Sequence, residues 1–353
     1  MKRFVVKSSS TIALLALATL PLLACGDDGG PAATPDAGGD GPIMGAYSHY
    51  TNDTISVPQS SAQTRDFGLN IDGDDANRPD NALGGILSAL KQQNVDIQKA
   101  VTDSVVAGRL VLLHSVQATS LSAAAAAGWK VLLGAPTATP PKYDGTDVMM
   151  VDGTSPTDGI LKGSIAGGHF EGGPGNVTIA LSLTTGTPIR VKLVGARIKG
   201  DLTADGCTSG VLGGAITNDE LNSSVIPGIQ TLMNNSIKDD GPDGMHPMAC
   251  AAAGDVCPAA MNGDATSCDV ERHICRSDTS KTILNIFDTN KDAQITIDEI
   301  KNNTLIKALL APDVDLFNGT TFDPRKDGVK DSLSVGIGFT CKKATFSVSN
   351  ETP

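Results

Sequence analysis

The residues with the clearest chemical potential lie between positions 288 and 299 of the 353-residue chain. Oxygen-bearing residues occupy the first, third, fifth, seventh, ninth and twelfth places, namely Asp288, Asn290, Asp292, Gln294, Thr296 and Glu299. Each of these six side chains carries an oxygen atom. Hard cations such as Ca²⁺ take about six to eight oxygen ligands, so this spacing predicts one calcium site. The alternative, a solvated acidic turn, is disfavoured by the complete donor set.

Apolar residues on both sides predict that this loop joins two helices. Ile283, Leu284 and Phe287 lie at helical spacing before the loop, with Asp278 as the expected N-cap. A less regular stripe follows the loop, ends at Pro312, and consists of Ile300, Leu305, Ile306, Leu309 and Leu310. The sequence therefore predicts a helix, a twelve-residue loop and a second helix over residues 277–311.

This pattern resembles an EF-hand. The resemblance implies that Gln294 offers its backbone carbonyl and that the other five residues offer side-chain oxygens. The resemblance implies that Ile295, at the eighth place, anchors a short strand to a neighbouring loop. The sixth place is Ala293, where the family has glycine because the backbone turns sharply. A Cβ in a left-handed conformation costs roughly 1–2 kcal/mol, so we expect weaker affinity than that of a cytosolic sensor. Extracellular calcium modules bind with Kd of about 10⁻⁴–10⁻³ M, and weak binding would suffice there.

EF-hands normally pair, which makes a second acidic stretch a candidate partner loop. Asp323, Asp327 and Asp331 recur at every fourth place, and Gly328 follows the middle one. The pattern resembles the Asp-Gly-rich calcium repeats of extracellular proteins, although Arg325 stands where such repeats usually have an acid. We expect a degenerate second loop here. The alternative is a tight Asp-Gly turn before a strand.

A third oxygen-rich stretch covers residues 70–81. Asn70, Asp72 and Asp74 begin it like a calcium loop, but its twelfth residue is Asn81 and no helix clearly precedes it. It is therefore either a further cation site or an Asx-rich turn that caps a helix predicted over residues 82–91. A second amphipathic helix is predicted over residues 95–107.

The amino terminus has the pattern of an exported protein. Three basic residues within the first seven precede an apolar stretch, residues 12–23, which is too short for a transmembrane helix. The stretch leads into Leu-Leu-Ala-Cys25, which resembles a bacterial lipobox. The resemblance implies removal of residues 1–24 as a signal peptide and acylation of Cys25, which anchors the protein to a membrane of the bacterial cell envelope. In that family, Gly at position 26 instead of Asp implies sorting to the outer membrane. An ordinary signal peptide with an incidental cysteine is the alternative.

Composition limits the classes of partner. The chain has 39 acidic and 27 basic residues; removing the signal peptide takes away three basic and no acidic residues, leaving 24 against 39, or −15. Such a chain is expected to avoid nucleic acid and anionic lipid and to attract cations. Residues 25–42 are expected to be a flexible tether, because positions 26–42 have no apolar side chain larger than Ala.

Period-two alternation predicts a β-rich body over residues 43–240. Apolar runs at 110–113 and 129–133 predict strands, and residues 177–183 and 189–202 alternate between apolar and polar. The alternation slips by one residue beside Gly195, which predicts a β-bulge. We expect an α+β fold: a β-rich antiparallel sandwich or barrel, with a helical EF-hand and a small disulfide-stapled insertion.

Two further segments are predicted around this body. A helix is expected to begin at a capping box formed by Thr217 and Glu220, to bend or split at Pro227, and to end near Ile237. Residues 312–353 carry the second acidic loop and an alternating strand over residues 332–346, which is expected to rejoin the sheet.

Six cysteines besides Cys25 predict disulfides in an exported protein. Four lie in a Gly/Ala/Asp-rich insertion, residues 241–276. Four cysteines allow three pairings, and we expect Cys250–Cys268 and Cys257–Cys275, which leaves Cys207 with Cys341. A zinc site built from these cysteines with His246 or His273 is disfavoured, because the spacing lacks a Cys-x₂-Cys knuckle.

No catalytic residue is predicted. The five histidines, His49, His114, His169, His246 and His273, belong to no recognisable catalytic motif. We expect a non-catalytic, calcium-binding surface lipoprotein in which Ca²⁺ is structural. One alternative is a calcium-dependent adhesion or docking module with a protein or cell-envelope partner. The other is an exported hydrolase with structural calcium, which would show a deep cleft lined by His169 or by paired carboxylates.

Overall fold

The structure is a computed structural model that describes residues 41–73, 79–92, 97–156, 159–181, 189–238, 248–257 and 265–347. Cys25, Asp74 and His246 lie outside the described residues. The strands are β1 (Ala46–Ser56), β2 (Leu112–Ala118), β3 (Ala123–Leu133), β4 (Val148–Met149), β5 (Ile160–Ala166), β6 (His169–Leu181), β7 (Ile189–Leu202), β8 (Gly206–Thr217), β9 (Thr266–Asp269), β10 (Ile274–Ser277), β11 (Phe317–Asn318), β12 (Thr321–Phe322), β13 (Ser332–Lys343) and β14 (Thr345–Phe346).

Eight of these strands close into an antiparallel barrel in the order β1-β13-β8-β7-β6-β5-β3-β2. The expected β-rich antiparallel fold is confirmed, and it is a barrel rather than a sandwich. The remaining strands form three two-stranded sheets, β9 with β10, β11 with β12, and β4 with β14. The last barrel strand in the chain, β13, lies between β1 and β8. Closure of the barrel therefore depends on pairing between the two ends of the chain.

The pattern of burial in β7 follows the slip in the sequence. Val191 and Leu193 face the core before Gly195, whereas Ala196 and Ile198 face it afterwards. Gly195 has a φ of 59°, and the register between β7 and β8 shifts in this stretch. The predicted β-bulge is therefore confirmed. One extra residue rotates the second half of the strand so that its apolar side chains still point inward.

Aromatic side chains fill part of the barrel core. Trp129, Tyr50 and Phe170 are fully buried, and Trp129 packs edge-on against Phe170 with ring centroids 5.2 Å apart. His114 is also buried, and its ring stacks on Phe339 at 4.8 Å. A barrel of eight strands is just wide enough for side chains to fill it, which these residues do.

The helices are α1 (Ser61–Asp66), α2 (Ala82–Gln92), α3 (Ile97–Val106), α4 (Asn218–Glu220), α5 (Ile226–Lys238), α6 (Asp278–Phe287), α7 (Ile297–Asn302) and α8 (Thr304–Leu309). α2 packs on β13, where two glycines allow close approach of the preceding segment. A Cβ on Gly336 would lie 2.0 Å from the carbonyl oxygen of Phe67, and a Cβ on Gly338 would lie 2.6 Å from the Phe67 ring. Larger residues at these positions would push this layer off the barrel.

The helical segment after β8 differs in detail from its prediction. Thr217 caps α4 by accepting a hydrogen bond from the Glu220 N–H at 3.2 Å, but the Glu220 carboxylate accepts the N–H of Lys192 instead of closing a capping box. A π-helical turn, Leu221–Val225, separates α4 from α5. This wider turn comes just before Pro227, whose ring lacks an N–H and tolerates only the start of a regular helix.

Three disulfides join the six cysteines in the expected pairs. Cys207 on β8 is bonded to Cys341 on β13, its partner in the strand register. The other two bonds, Cys250–Cys268 and Cys257–Cys275, connect the β9–β10 hairpin to the segment before it.

Across the described ranges, no helix is both long and apolar enough to cross a bilayer.

Candidate calcium site

The predicted cation loop lies between two short helices. α6 ends at Phe287 and α7 begins at Ile297, so residues 288–296 form the connection. The N-cap of α6 is Ser277, which accepts the N–H of Ser280, and not Asp278 as predicted. Asp278 is the first helical residue, where its negative charge still favours the helix N-terminus.

The second helix is shorter than the sequence pattern predicts. α7 ends at Asn302, and α8 begins at Thr304 after a break at Asn303, whose ψ of 123° is extended. At its start, Thr296 and Glu299 form a complete capping box. This box explains why the helix begins at the ninth place of the loop, since two otherwise unpaired N–H groups are satisfied there.

Two residues of the loop adopt left-handed backbone conformations, Lys291 with a φ of 62° and Ala293 with a φ of 63°. Ala293 occupies the place at which the EF-hand resemblance requires this conformation. The strain of a Cβ in this region, roughly 1–2 kcal/mol, is therefore present in the folded chain. It is offset locally, because the Ala293 N–H donates to Asp288 Oδ2 at 2.9 Å.

The side chains at the first, third and fifth places turn inward and accept the loop's own amides. Asp288 Oδ1 accepts the N–H of Asp292 at 3.1 Å, and Asp292 Oδ1 accepts the N–H of Gln294 at 2.8 Å. Asn290 Oδ1 also accepts from Asp292, at 3.1 Å. The Asp288 side chain is fully buried. These hydrogen bonds bend the backbone around the three side chains. Three of the predicted ligand positions therefore lie on the concave side of one turn.

Glu299, at the twelfth place, is held against the backbone of the same loop. Its Oε1 accepts the Thr289 N–H at 2.8 Å, and its Oε2 accepts the Thr296 N–H at 2.9 Å. Burial alone would raise the pKa of Glu299, but hydrogen bonds from Thr296 and Thr289 outweigh it and lower the pKa to about 2. The carboxylate is therefore charged at neutral pH, as a cation ligand must be.

The acidic side chains of the loop do not meet at one point. Among the described residues, the ligand-type side chains that gather in threes within 4.8 Å are Cys250 with Cys257 and Cys275, and Cys250 with Asp255 and Cys268. All four of these cysteines are in disulfides and cannot act as thiolates. The donor types and the backbone bends of the 288–299 loop fit Ca²⁺, but Glu299 would have to exchange hydrogen bonds to act as a ligand.

The disulfide-stapled hairpin contacts the loop through two ion pairs, which sequence patterns do not reveal. Arg272, in the turn between β9 and β10, lies 3.1 Å from Asp288 Oδ2 and 3.2 Å from Asp269 Oδ2. Its neighbour Glu271 pairs with Lys291 at the fourth place of the loop. The Arg272 side chain is only 9% exposed, so the pair with Asp288 lies in a poorly solvated environment. A fixed positive charge is thus part of the loop's surroundings.

The backbone of Ile295 contacts α5, and this corrects one prediction. Its N–H donates to Asn234 Oδ1 at 2.8 Å, and its carbonyl accepts from Asn234 Nδ2 at 2.8 Å and from Gln230 Nε2 at 3.0 Å. The expectation that residues 323–331 pair with this loop is therefore wrong. Helix α5 lies where a partner loop would contact Ile295, because its apolar face packs against Leu284, Ile295 and the rest of the same cluster.

The second acidic stretch instead folds over the loop that follows α8. Asp331 accepts the N–H of Phe317 at 2.8 Å, and Asp327 accepts the N–H of Val329 at 2.9 Å. Asp323 contributes its own N–H to the carbonyl of Leu316. Strands flank the stretch on both sides, with β12 before it and β13 after it. These carboxylates brace turns, as in the alternative interpretation.

The third candidate stretch lies beside the second. Arg325 Nη1 donates to the Gly73 carbonyl at 2.8 Å, and Lys330 Nζ lies 3.8 Å from Asp72 Oδ2. Asn70 Oδ1 is buried and has no hydrogen-bond partner within the described part of the chain. The helix cap is Asn81, whose Oδ1 accepts the N–H of Gly84 at 3.0 Å. The described part of this stretch therefore caps α2, as in the alternative interpretation, and basic side chains of the chain itself lie against it.

The surroundings of Asp80, which belongs to this stretch, disfavour the charged form of its carboxyl group. Burial is the largest cause that raises its pKa, to about 6, and the charges of Asp72 and Asp313 add to it. The folded state therefore binds a proton more tightly than the unfolded chain does between about pH 4 and pH 6. Stability from this group is present at about pH 4 and is lost as the pH rises through 6.

Asp80→Asn is therefore expected to raise the free energy of unfolding at pH 7.5 by about 1–2 kcal/mol, a figure already discounted for solvent screening. At pH 4 we expect little change, because an amide oxygen can still accept the Ile71 N–H that Asp80 Oδ2 accepts at 2.7 Å. Urea denaturation at both pH values measures the difference, with exposed Asp66→Asn as the matched control. Equal effects of Asp80→Asn at both pH values would contradict the assignment.

Two of the described histidines, His114 and His169, make side-chain hydrogen bonds in different parts of the barrel. His114 is a satisfied core residue: its Nδ1 accepts from the Trp129 indole at 2.9 Å, and its Nε2 lies 2.8 Å from Asn52 Oδ1. His169 Nδ1 lies 2.7 Å from Asp201 Oδ1 at the edge of a groove of about 530 Å³. Ser209, which also lines the groove, hydrogen-bonds to the same Asp201 carboxylate. The carboxylate thus stands between the hydroxyl and the imidazole, which is not the order that activates a serine.

Comparisons with protein-family models, with curated proteins and with solved structures return no match to this chain.

Proposed function

We propose that the protein is a non-catalytic, calcium-binding lipoprotein of the bacterial cell envelope, anchored through Cys25 and held together by a structural Ca²⁺. The observation that carries the calcium assignment is the loop of residues 288–299. It offers oxygen donors at all six places and the left-handed backbone at Ala293 that such a loop needs. The ligands would be Asp288, Asn290, Asp292, Thr296 and Glu299, with the carbonyl of Gln294.

A bound cation would compensate the negative charges that this loop concentrates. Asp288 is buried and Asp292 lies next to it, joined through a backbone N–H. Arg272 neutralises part of this charge at Oδ2 of Asp288, which leaves the loop with net negative charge. Both oxygens of Asp288 face the loop, since Oδ2 also accepts the Ala293 N–H and Oδ1 accepts the Asp292 N–H. This arrangement supports weak, reversible binding rather than the affinity of a cytosolic buffer.

Calcium binding would stabilise the fold by linkage, because the ion would bind the folded chain in preference to the unfolded chain. Calcium that binds the folded chain and not the unfolded chain stabilises by RT ln(1 + [Ca²⁺]/Kd), about 2.7 kcal/mol at a hundredfold excess over Kd. The loop packs on α5 through a buried cluster that includes Leu284, Phe287, Ile295 and Ile300. Stabilisation of the loop would therefore extend to α5 and not stop at the loop itself.

The test is a calcium titration of the purified protein by calorimetry, with Glu299→Gln beside the wild type. Removing the charge at the twelfth place is expected to weaken binding at least a hundredfold, because Glu299 is the one predicted ligand that α7 contributes. Glu171→Gln, an exposed change on β6, is the matched control and should bind like the wild type. Equal binding by Glu299→Gln and the wild type would contradict the assignment, as would no binding by the wild type.

The hydrolase alternative has one observation in its favour, the groove beside His169 and Asp201. Asp201 is about half exposed, and its pKa is lowered mainly by the hydrogen bond from His169. The pair would suit a base, but it needs a nucleophile or a water on the other imidazole nitrogen. This alternative predicts that the wild type hydrolyses generic ester or glycoside substrates and that His169→Gln does not. Hydrolysis that persists in His169→Gln would exclude His169 as the base, and no hydrolysis by the wild type would count against the alternative.

A further inference from the structure

The calcium loop of an EF-hand is normally steadied by a second loop through its eighth residue, and here that residue is Ile295. Both polar backbone groups of Ile295 are satisfied by side chains of α5. The Asn234 amide accepts from the N–H at 2.8 Å and donates to the carbonyl at 2.8 Å, so one side chain makes both bonds of a β-bridge. Gln230, one turn earlier, adds a second donor to the same carbonyl at 3.0 Å.

Because of the position of Ile295, these hydrogen bonds also restrict the backbone of two predicted cation ligands. Ile295 lies between Gln294, which would offer its carbonyl, and Thr296, which would offer its hydroxyl. Fixing the backbone on both sides of Ile295 limits the freedom of both neighbours. Ordering that is already present in the free protein need not be supplied by the ligand, so it raises affinity.

Because Ile295 is buried, water cannot easily replace the hydrogen bonds to its N–H and its carbonyl. The Ile295 side chain is 1% exposed and packs in a cluster with Ile226 and Ile237 of α5. A polar backbone group beside such a cluster costs free energy if it loses its partner. The apolar contact and the amide contact thus hold the same residue to the same helix.

We propose that Asn234 is a positioning residue that substitutes, together with Gln230, for the missing second loop and sets the calcium affinity of residues 288–299. This proposal rests on the proposed function. It adds that a site with one good loop can work without a partner loop, because a side chain of a neighbouring helix mimics the backbone of that loop. It also makes α5, and not residues 323–331, the partner of the site.

The experiment compares calcium binding by the wild type, Asn234→Ala, Gln230→Ala and Asn235→Ala of the full chain. Asn235 is the matched control, because it is exposed on the same helix and next in sequence. We expect at least tenfold weaker binding for Asn234→Ala, a smaller loss for Gln230→Ala, and no change for Asn235→Ala. Hydrogen exchange of the Ile295 amide in calcium-free buffer should quicken at least tenfold in Asn234→Ala alone.

The outcomes separate this proposal from the proposed function. Wild-type binding that is abolished by Glu299→Gln but unchanged by Asn234→Ala would overturn the role of Asn234 and leave the calcium site in place. Absence of wild-type binding would overturn both. If Asn234→Ala loses its cooperative melt, Asn234→Ser replaces it in the comparison. This variant keeps an acceptor for the Ile295 N–H, and we expect its calcium affinity to be lower than that of the wild type. Affinity of Asn234→Ser equal to that of the wild type would count against the proposal.

Discussion

Replacing Cys207 and Cys341 together with alanine is expected to lower the free energy of unfolding by about 5 kcal/mol, the largest effect of any substitution proposed here. The two cysteines are separated by 134 residues, so their bond removes much of the freedom of the unfolded chain. They face each other on β8 and β13 and are 1% exposed, so alanine leaves no polar group behind. Urea denaturation, followed by tryptophan fluorescence from the single Trp129, measures the loss.

The matched control is the double alanine variant of Cys250 and Cys268. Their separation is 18 residues, for which the same chain-entropy relation gives about 3 kcal/mol. The bond also lies outside the barrel, so its loss should leave the fluorescence of the folded state unchanged. If the two double variants lose equal stability, or if the order is reversed, chain entropy does not account for the effect of the Cys207–Cys341 bond.

The protein is expected to lose stability steeply as the pH falls below 6.5, because His114 must remain neutral in the folded state. Burial lowers the pKa of His114 to about 3, whereas the unfolded chain binds a proton near pH 6.5. Between these values the unfolded state holds more protons, so stability is present above pH 6.5 and is lost as the pH falls toward 3. The slope contributed by this group is about 1.4 kcal/mol per pH unit.

The contribution of His114 can be isolated by comparing slopes instead of absolute stabilities. His114→Gln lowers stability at every pH, since its contacts with Trp129 and Asn52 change, but it removes the titration. The free energy of unfolding of this variant should therefore fall less between pH 6.5 and pH 4.5, by roughly 2–3 kcal/mol, than that of the wild type. A wild-type slope in His114→Gln would show that other groups control the acid transition.

Local patterns predicted the parts of the fold that depend on neighbours in sequence. The slip beside Gly195 located the bulge of β7, and the alternation over residues 332–346 predicted β13. The loop of residues 288–299 was found by the same means, since a ligand set within twelve residues needs no knowledge of the rest of the chain. The start of the preceding helix was predicted one residue late: Ser277 and not Asp278 caps α6, because both residue types can accept the same N–H.

Contacts between distant segments could not be predicted from these patterns. The choice between sandwich and barrel depended on pairing β13 with β1 across almost the whole chain. Arg272 and Asn234 have ordinary sequence surroundings, yet they contact Asp288 and Ile295 once the hairpin and α5 have packed. Residues 323–331 carried the stronger pattern for a partner loop, but packing of an apolar helix face decided which segment lies beside Ile295.

Closure of the barrel also limits how another molecule can bind this protein. Each of the eight strands has a hydrogen-bonded neighbour on both sides over part of its length, so the wall offers no free row of backbone groups in these doubly paired stretches. Recognition by addition of a strand is therefore unavailable there. A partner that contacts these stretches must bind through side chains, and the side chains that face outward can vary without opening the wall.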